Sequence, residues 1–405
     1  MRDGLKDERT YELERAEERL WREARALGVS RRRFLQLAGA GAGLATFSGF
    51  WGAPRAWANH TPVVKPTPSN LFFIRGTNRE MKWEAMKDQG YKTGIDRFFV
   101  RNHTATPHID VSTWRLRIEG TGVAAPVELT YDDILAMPAV SETKFIECAG
   151  NGRSFFASVL GQPASGTQWL LGAIGVAEWT GVRLSTVLAA AGLKSTAVDV
   201  MPTGLDTMAV RRPMPIEKAL DDDTLLVYGM NGEVLPVDHG FPVRVLTPGW
   251  IGIANIKWVG RIEVSETPLF SDWNTTTYRY FGPAYPDQPV LFAQEVKSAL
   301  ELPFPATVPA GPQTLTGRSW SGHGSIDQVE VSFDGGGSWT LAALAAKNIP
   351  FAWRQWSVAW DPTPGSYAVR VRATDSKGNT QPDVVPFNSQ GYLYWAAVNH
   401  PVTVF

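Results

Sequence analysis

Two hydrophobic rhythms divide the chain near residue 294. In the first part, Leu129 to Met137 (LTYDDILAM) and Leu184 to Leu193 (LSTVLAAAGL) space their apolar residues at helical intervals. Thr224 to Met230 (TLLVYGM) and Phe241 to Trp250 (FPVRVLTPGW) read instead as strands. This mixture predicts an α+β domain rather than a regular βαβ winding. Beyond residue 294 the period is two. Val329, Val331 and Phe333 alternate with Glu330, Ser332 and Asp334, and Val369, Val371 and Ala373 alternate with Arg370, Arg372 and Thr374. Short alternating runs broken by Gly, Pro and Asp predict an immunoglobulin-like β-sandwich. The expected division is a lead over 1–58, an α+β domain over 59–293 and a sandwich over 294–405.

The lead has its own pattern. A charge-rich stretch is followed by Ser30, Arg31, Arg32, Phe34 and Leu35, then a weakly apolar Gly/Ala run ending in Ala56-Trp57-Ala58. Twin arginines, a mild apolar segment and a small-residue cleavage site make an export signal of the twin-arginine type, cut after Ala58. The competing readings are a basic turn before a buried helix and an uncleaved anchor. Five glycines in the run make it a poor bilayer span. The expected location is the periplasm, reached in the folded state.

Composition adds exclusions. A net charge of -1 offers no field for nucleic acid. One cysteine in 405 residues cannot form an intramolecular disulfide, so the oxidising compartment does not staple this fold. Cys148 stands in KFIECAGNGRSFF, Lys144 to Phe156. Alone, such a thiol reads as a small buried hydrophobe. Its neighbours change that: Gly150, Asn151 and Gly152 suit a tight loop, and Arg153 favours a thiolate. The six histidines complete no protease-like signature with it.

The stretch ECAGNGRSFF resembles the Cys-Ala-Gly-Asn motif of the sulfite oxidase family of molybdenum enzymes. The resemblance extends in order through FFVRNH (Phe98 to His103), LTYDDILAMP, GTQWLLGAIGVAEWTGVRL, the long run from Met230 to Val264, and SDWNTTTYRYF (Ser271 to Phe281). DGGGSW, FAWRQWSV and RATDSKGNTQPD resemble the family's dimerisation domain, which implies a homodimer.

Carried onto this sequence, the resemblance implies that Cys148 supplies a thiolate to molybdenum in one molybdopterin per chain. It implies that His103, His239, Arg244 and Lys257 hold the cofactor's phosphate and pterin. Arg101 and Arg153 would bind an oxyanion, Trp169 would line its pocket, and Tyr278, chosen over Tyr280 by its spacing from Trp273, would be the active-site tyrosine. The implied reaction is oxidation of sulfite to sulfate by oxygen-atom transfer. With one cysteine no C-x-x-C-H haem site exists in this chain, so the expected acceptor is a separate c-type cytochrome.

Two departures touch the substrate. Many relatives carry arginine where this chain has Gly152, and eukaryotic members carry another where Gln390 stands. Each lost charged hydrogen bond weakens the hold on a dianion by about 1–3 kcal/mol. A sulfane dehydrogenase subunit of a thiosulfate-oxidising system is therefore the alternative within the family. Outside it stands a non-catalytic exported binding module, disfavoured because the thiol and the expected phosphate ligands are all present. On the export reading, protein recovered from the periplasm should begin at Asn59 by N-terminal sequencing, and Arg31→Lys with Arg32→Lys should leave it in the cytoplasm uncut.

Overall fold

The computed structural model describes residues 63–405; the export pattern lies outside them. Two five-stranded sheets build the first domain, together with an antiparallel pair of short strands, Phe72–Arg75 and Asn78–Met81. In one, Ala139–Glu147, Ile174–Arg183 and Leu225–Met230 lie side by side and antiparallel, and Glu233–Val234 and Arg244–Leu246 both pair with the last of these. In the other the order is Val127–Leu129, Leu116–Glu119, Val259–Ser265, Asp199–Gly204 and Met214–Pro215, with one parallel pairing, between Leu116–Glu119 and Val259–Ser265.

The helices are short. Tyr131–Leu135 begins at a capping box in which Thr130 and Asp133 satisfy one another, and Leu184–Ala190 buries Leu184, Val187 and Leu188. The strand expected across Phe241 to Trp250 shrinks to Arg244–Leu246. Pro242 and Pro248 have no N–H for a ladder, and Gly249 turns the chain at a φ of 77°.

The second domain is the expected sandwich. One sheet runs Lys297–Leu300, Gln313–Trp320, Trp353–Trp360, Ala343–Leu344; the other runs Ala306–Val308, His400–Val404, Gly365–Asp375, Ile326–Ser332, Thr340–Leu341. Val329, Val331, Val369, Val371 and Ala373 all face its core, and Phe333 packs against it half-buried.

The two domains meet at the end of the strand that carries the cysteine. Ala139–Glu147 starts exposed, but Lys144, Phe145, Ile146 and Glu147 are buried. The Glu147 carboxylate accepts from Lys297 Nζ at 2.8 Å, Asn151 Nδ2 at 2.9 Å and Trp320 Nε1 at 2.9 Å. Lys297 and Trp320 belong to the sandwich. Glu147 and Lys297 are 0% and 1% exposed, so each depends on the other for compensation. A second contact reinforces the first. Arg318 pairs with Glu301 at 2.7 Å and donates to the carbonyls of Met86, Gln89 and Tyr91 across the junction.

Removing one member of a buried pair strands the other. Lys297→Met should therefore lower unfolding stability by about 3–5 kcal/mol, and adding Glu147→Gln should recover part of the loss. Guanidinium unfolding midpoints check both.

Candidate active site

Cys148 is the first residue after the strand, 7% exposed, with its N–H donating to Ala173 O at 2.9 Å. Asn151 knits the loop that follows: its amide oxygen accepts from Ala173 N at 3.0 Å and its amide nitrogen reaches Glu147 and Leu171 O. Gly252 presses on the same place. A Cβ there would lie 2.7 Å from Glu147 O and 3.3 Å from Cys148 Cα, so only glycine lets this neighbouring loop close on the thiol.

The cysteine opens into a cleft lined by both polar and apolar side chains. Arg101, His103, Cys148, His239, Arg244, Lys257 and Tyr278 all line it. The structure thus brings together seven of the nine residues expected from sequence. Arg153 and Trp169 lie off this lining. Trp169 is fully buried among the side chains behind Cys148 and packs with Phe98 and Trp179. Arg153 donates to Gln390 O at 3.0 Å and Thr167 O at 2.9 Å and lies 5.3 Å from the centre of the Tyr392 ring. Tyr392 in turn stacks on Tyr278 at 4.8 Å. Tyr280, the other candidate tyrosine, stacks on Tyr285 instead.

The cleft gathers basic side chains whose burial acts against their charge. Burial pushes His239 far below the usual imidazole range, and Lys65, Lys257 and Arg244 push it the same way. Lys257 falls well below a normal ammonium through burial and then the repulsion of Arg244, and burial alone takes Arg244 down to about 9. Lys65 reaches about 7, chiefly by burial. Among the described residues, neither Arg244 nor Lys257 has a salt bridge. Arg244 donates only to the carbonyls of His239 and Asn255, and Lys257 to Asp238 O and Asn102 Oδ1.

Buried cations of this kind ask for an anion. His239 Nε2 and Arg244 Nε are buried with no hydrogen-bond partner. Two orphaned nitrogens beside an ammonium form a donor set that fits a phosphate-bearing cofactor.

Comparison with known proteins agrees with this geometry. Residues 103–273 match the oxidoreductase molybdopterin binding domain, and residues 293–402 match the Mo-co oxidoreductase dimerisation domain. Sulfite oxidase of Gallus gallus is 35% identical over 329 residues, covering 75% of this chain and 71% of that one. This chain belongs to the sulfite oxidase family of molybdopterin enzymes. Mitochondrial sulfite oxidase of Homo sapiens is 36% identical over 330 residues; the match covers 75% of this chain but 60% of the length of that relative. The crystal structure of the sulfane dehydrogenase SoxCD from Paracoccus pantotrophus is similar at a TM-score of 0.73 and 28% identity, covering 88% of this chain and 95% of that one. Family membership brings molybdopterin binding with it, and the unpaired donors fit that group.

Sequence reasoning missed Tyr392, Arg212, Asp238 and Lys65. Asp238 stands in the motif run from Met230 to Val264, where it accepts from the backbone N–H groups of Val64 and Lys65 and from Thr106 Oγ1. Lys65 reaches the carbonyls of Ile95 and Phe98 beside it. Tyr392 and Arg212 carry no local signal, since only the fold brings them to Tyr278.

Lys257→Met and Arg244→Met should each yield folded protein whose pterin content falls about tenfold or more, the loss of one charged hydrogen bond. Fluorescence of the oxidised pterin and molybdenum by mass spectrometry read this directly; full occupancy in both variants would mean these cations hold something else.

Proposed function

We propose that this chain oxidises sulfite to sulfate in the periplasm and passes the electrons to a separate c-type cytochrome. Overall, sulfite and water give sulfate, two protons and two electrons. The bound molybdenum would supply the two-electron redox and oxygen-transfer chemistry. Cys148 would be its protein thiolate, with His103, His239, Arg244 and Lys257 around the pterin and phosphate.

The observation that carries this reading is the set of groups gathered at Tyr278. Arg101, Arg153, Tyr392 and Cys148 all act electrostatically on its phenol. Arg101 and Arg153 have no carboxylate partner among the described residues, so both guanidinium groups keep charge for an oxyanion. Arg101 Nη2 lies 3.1 Å from His103 Nδ1. A guanidinium can only donate, so Nδ1 accepts and the imidazole proton sits on Nε2. Burial, Arg101 and Lys257 all hold His103 neutral. Its Nε2 faces Tyr278 Oη at 3.5 Å, which leaves the phenol hydrogen available to the substrate. Burial raises the Tyr278 pKa far above the phenol range, so this group acts as a protonated donor.

A second reading, oxidation of sulfane sulfur, draws on a specific observation. Gly152 and Gln390 bring no charge to the site: Gly152 stands at a φ of 91° with a Cβ position 3.1 Å from Tyr394, and the Gln390 amide donates to Thr276 O. The likeness to the sulfane dehydrogenase SoxCD favours it as well.

Exported protein with about one molybdenum per chain should reduce cytochrome c on addition of sulfite, and Cys148→Ser should lose both the metal and the turnover. Molybdenum without sulfite turnover, but with reduction driven by a protein-bound persulfide, would move the substrate to sulfane sulfur.

A further inference from the structure

Tyr278 sits in an unfavourable backbone conformation. Its φ of 54° lies in the left-handed region, uncommon for a bulky side chain, so its surroundings must hold it there. The segment that carries it runs from Ser271 to Leu291 and returns on itself: Leu291 N donates to Tyr278 O at 2.9 Å. The same segment brings Trp273 to within 4.4 Å of the His103 ring.

Both ends of this segment are tied to one side chain. Arg212, 1% exposed, donates through Nη1 to Trp273 O and through Nη2 to Leu291 O. Its neighbour Arg211 accepts from Ser271 Oγ at 3.0 Å, fixing a third point. The Arg212 guanidinium also lies 5.9 Å from the centre of the Tyr278 ring and 5.8 Å from that of Phe292. It makes no salt bridge among the described residues, and its Nε is buried without a partner. A buried, unneutralised guanidinium is a costly way to fill a core, and an apolar side chain would pack there more cheaply. What an apolar side chain lacks is the fork that grips two carbonyls and leaves a positive charge beside the phenol.

We infer that Arg212 is a positioning residue for the substrate site, clamping the segment 271–291 so that Tyr278 and Trp273 are held against the cleft while its charge supports the bound oxyanion. In this chain it supplies behind Tyr278 a positive charge that Gln390 does not bring. This rests on the oxyanion-oxidising reading of the site.

The test uses the molybdenum-loaded enzyme and a double-mutant cycle. Arg212→Met should lower kcat/KM for sulfite about tenfold or more at wild-type molybdenum content, whereas in a Tyr278→Phe background the same change should cost about twofold or less. Arg212→Lys, which keeps charge without the fork, should recover KM more than kcat. Equal losses in both backgrounds, or unchanged kinetics, would overturn the inference. Hydrogen exchange provides an arm independent of substrate. Peptides spanning 274–292 should exchange faster in either variant while those spanning 139–160 do not, and unchanged protection of 274–292 would sink the clamp. Wild-type enzyme inactive on sulfite, with that exchange response intact, would defeat the substrate reading and leave the clamp standing.

Discussion

The buried pair of Glu147 and Lys297 is the constraint on which the rest of this structure depends. Glu147 is the residue before the cysteine, and all its carboxylate partners are buried: Lys297 and Trp320 from the sandwich and Asn151 from the cysteine loop. Lys297 also reaches Asn151 O at 3.2 Å, and Gln294 binds Glu147 O at 2.7 Å. A carboxylate in a dry junction tolerates little displacement, since each lost partner exposes it to the cost of unpaired burial. The thiol one residue away therefore inherits a position set by the packing of two domains. Under the proposed function, that rigidity would serve Cys148 as a metal ligand.

A second principle acts on the other side of Cys148, where charge is left over rather than matched. Arg101, Arg244 and Lys257 line one cleft with no salt-bridged carboxylate among the described residues. Asp238 is close enough to favour the charge on Lys257, yet its oxygens are occupied by Val64 N, Lys65 N and Thr106 Oγ1. Burial and mutual repulsion both act against charge on these groups, and an anionic ligand would relieve both. Binding of such a ligand to the folded state alone stabilises that state. The same arrangement explains why the matched ion pair sits at the domain junction and the unmatched cations sit at the cleft.

Much of this was legible in the sequence, for physical reasons that differ by region. The sandwich strands alternate because one face is wet, so Val329 and Val369 identify the core unaided. The cleft residues His103, Cys148, His239, Arg244 and Lys257 lie in the motifs that carry the family resemblance. The rest depends on contacts between distant stretches. Tyr392 meets Tyr278 from 114 positions away and Arg212 meets Trp273 O from 61. No local period records such meetings. Trp169 stands in another matching motif, GTQWLLGAIGVAEWTGVRL, and shares a buried cluster with Cys148 while lying off the lining of the cleft. The strand expected over Phe241 to Trp250 failed because apolar residues marked burial there while the prolines limited pairing.

The route of the chain after the last long strand makes the sandwich part of the site. Residues 388–394 leave that domain and run back over the cysteine loop, where Leu393 N donates to Ala149 O at 2.7 Å and Gln390 O receives Arg153. Gly152 is open enough at its Cα to let Tyr394 rest on it, and Gly391 brings the chain against Arg153. Tyr392, in the same stretch, closes the stack on Tyr278. The orientation of Arg153 is therefore set by carbonyls from both domains, Thr167 O on one side and Gln390 O on the other. A guanidinium held in this way cannot swing freely toward a substrate; its reach is fixed by how the two domains seat. The domain matched to dimerisation thus also helps to fix, within its own chain, where the Arg153 guanidinium points.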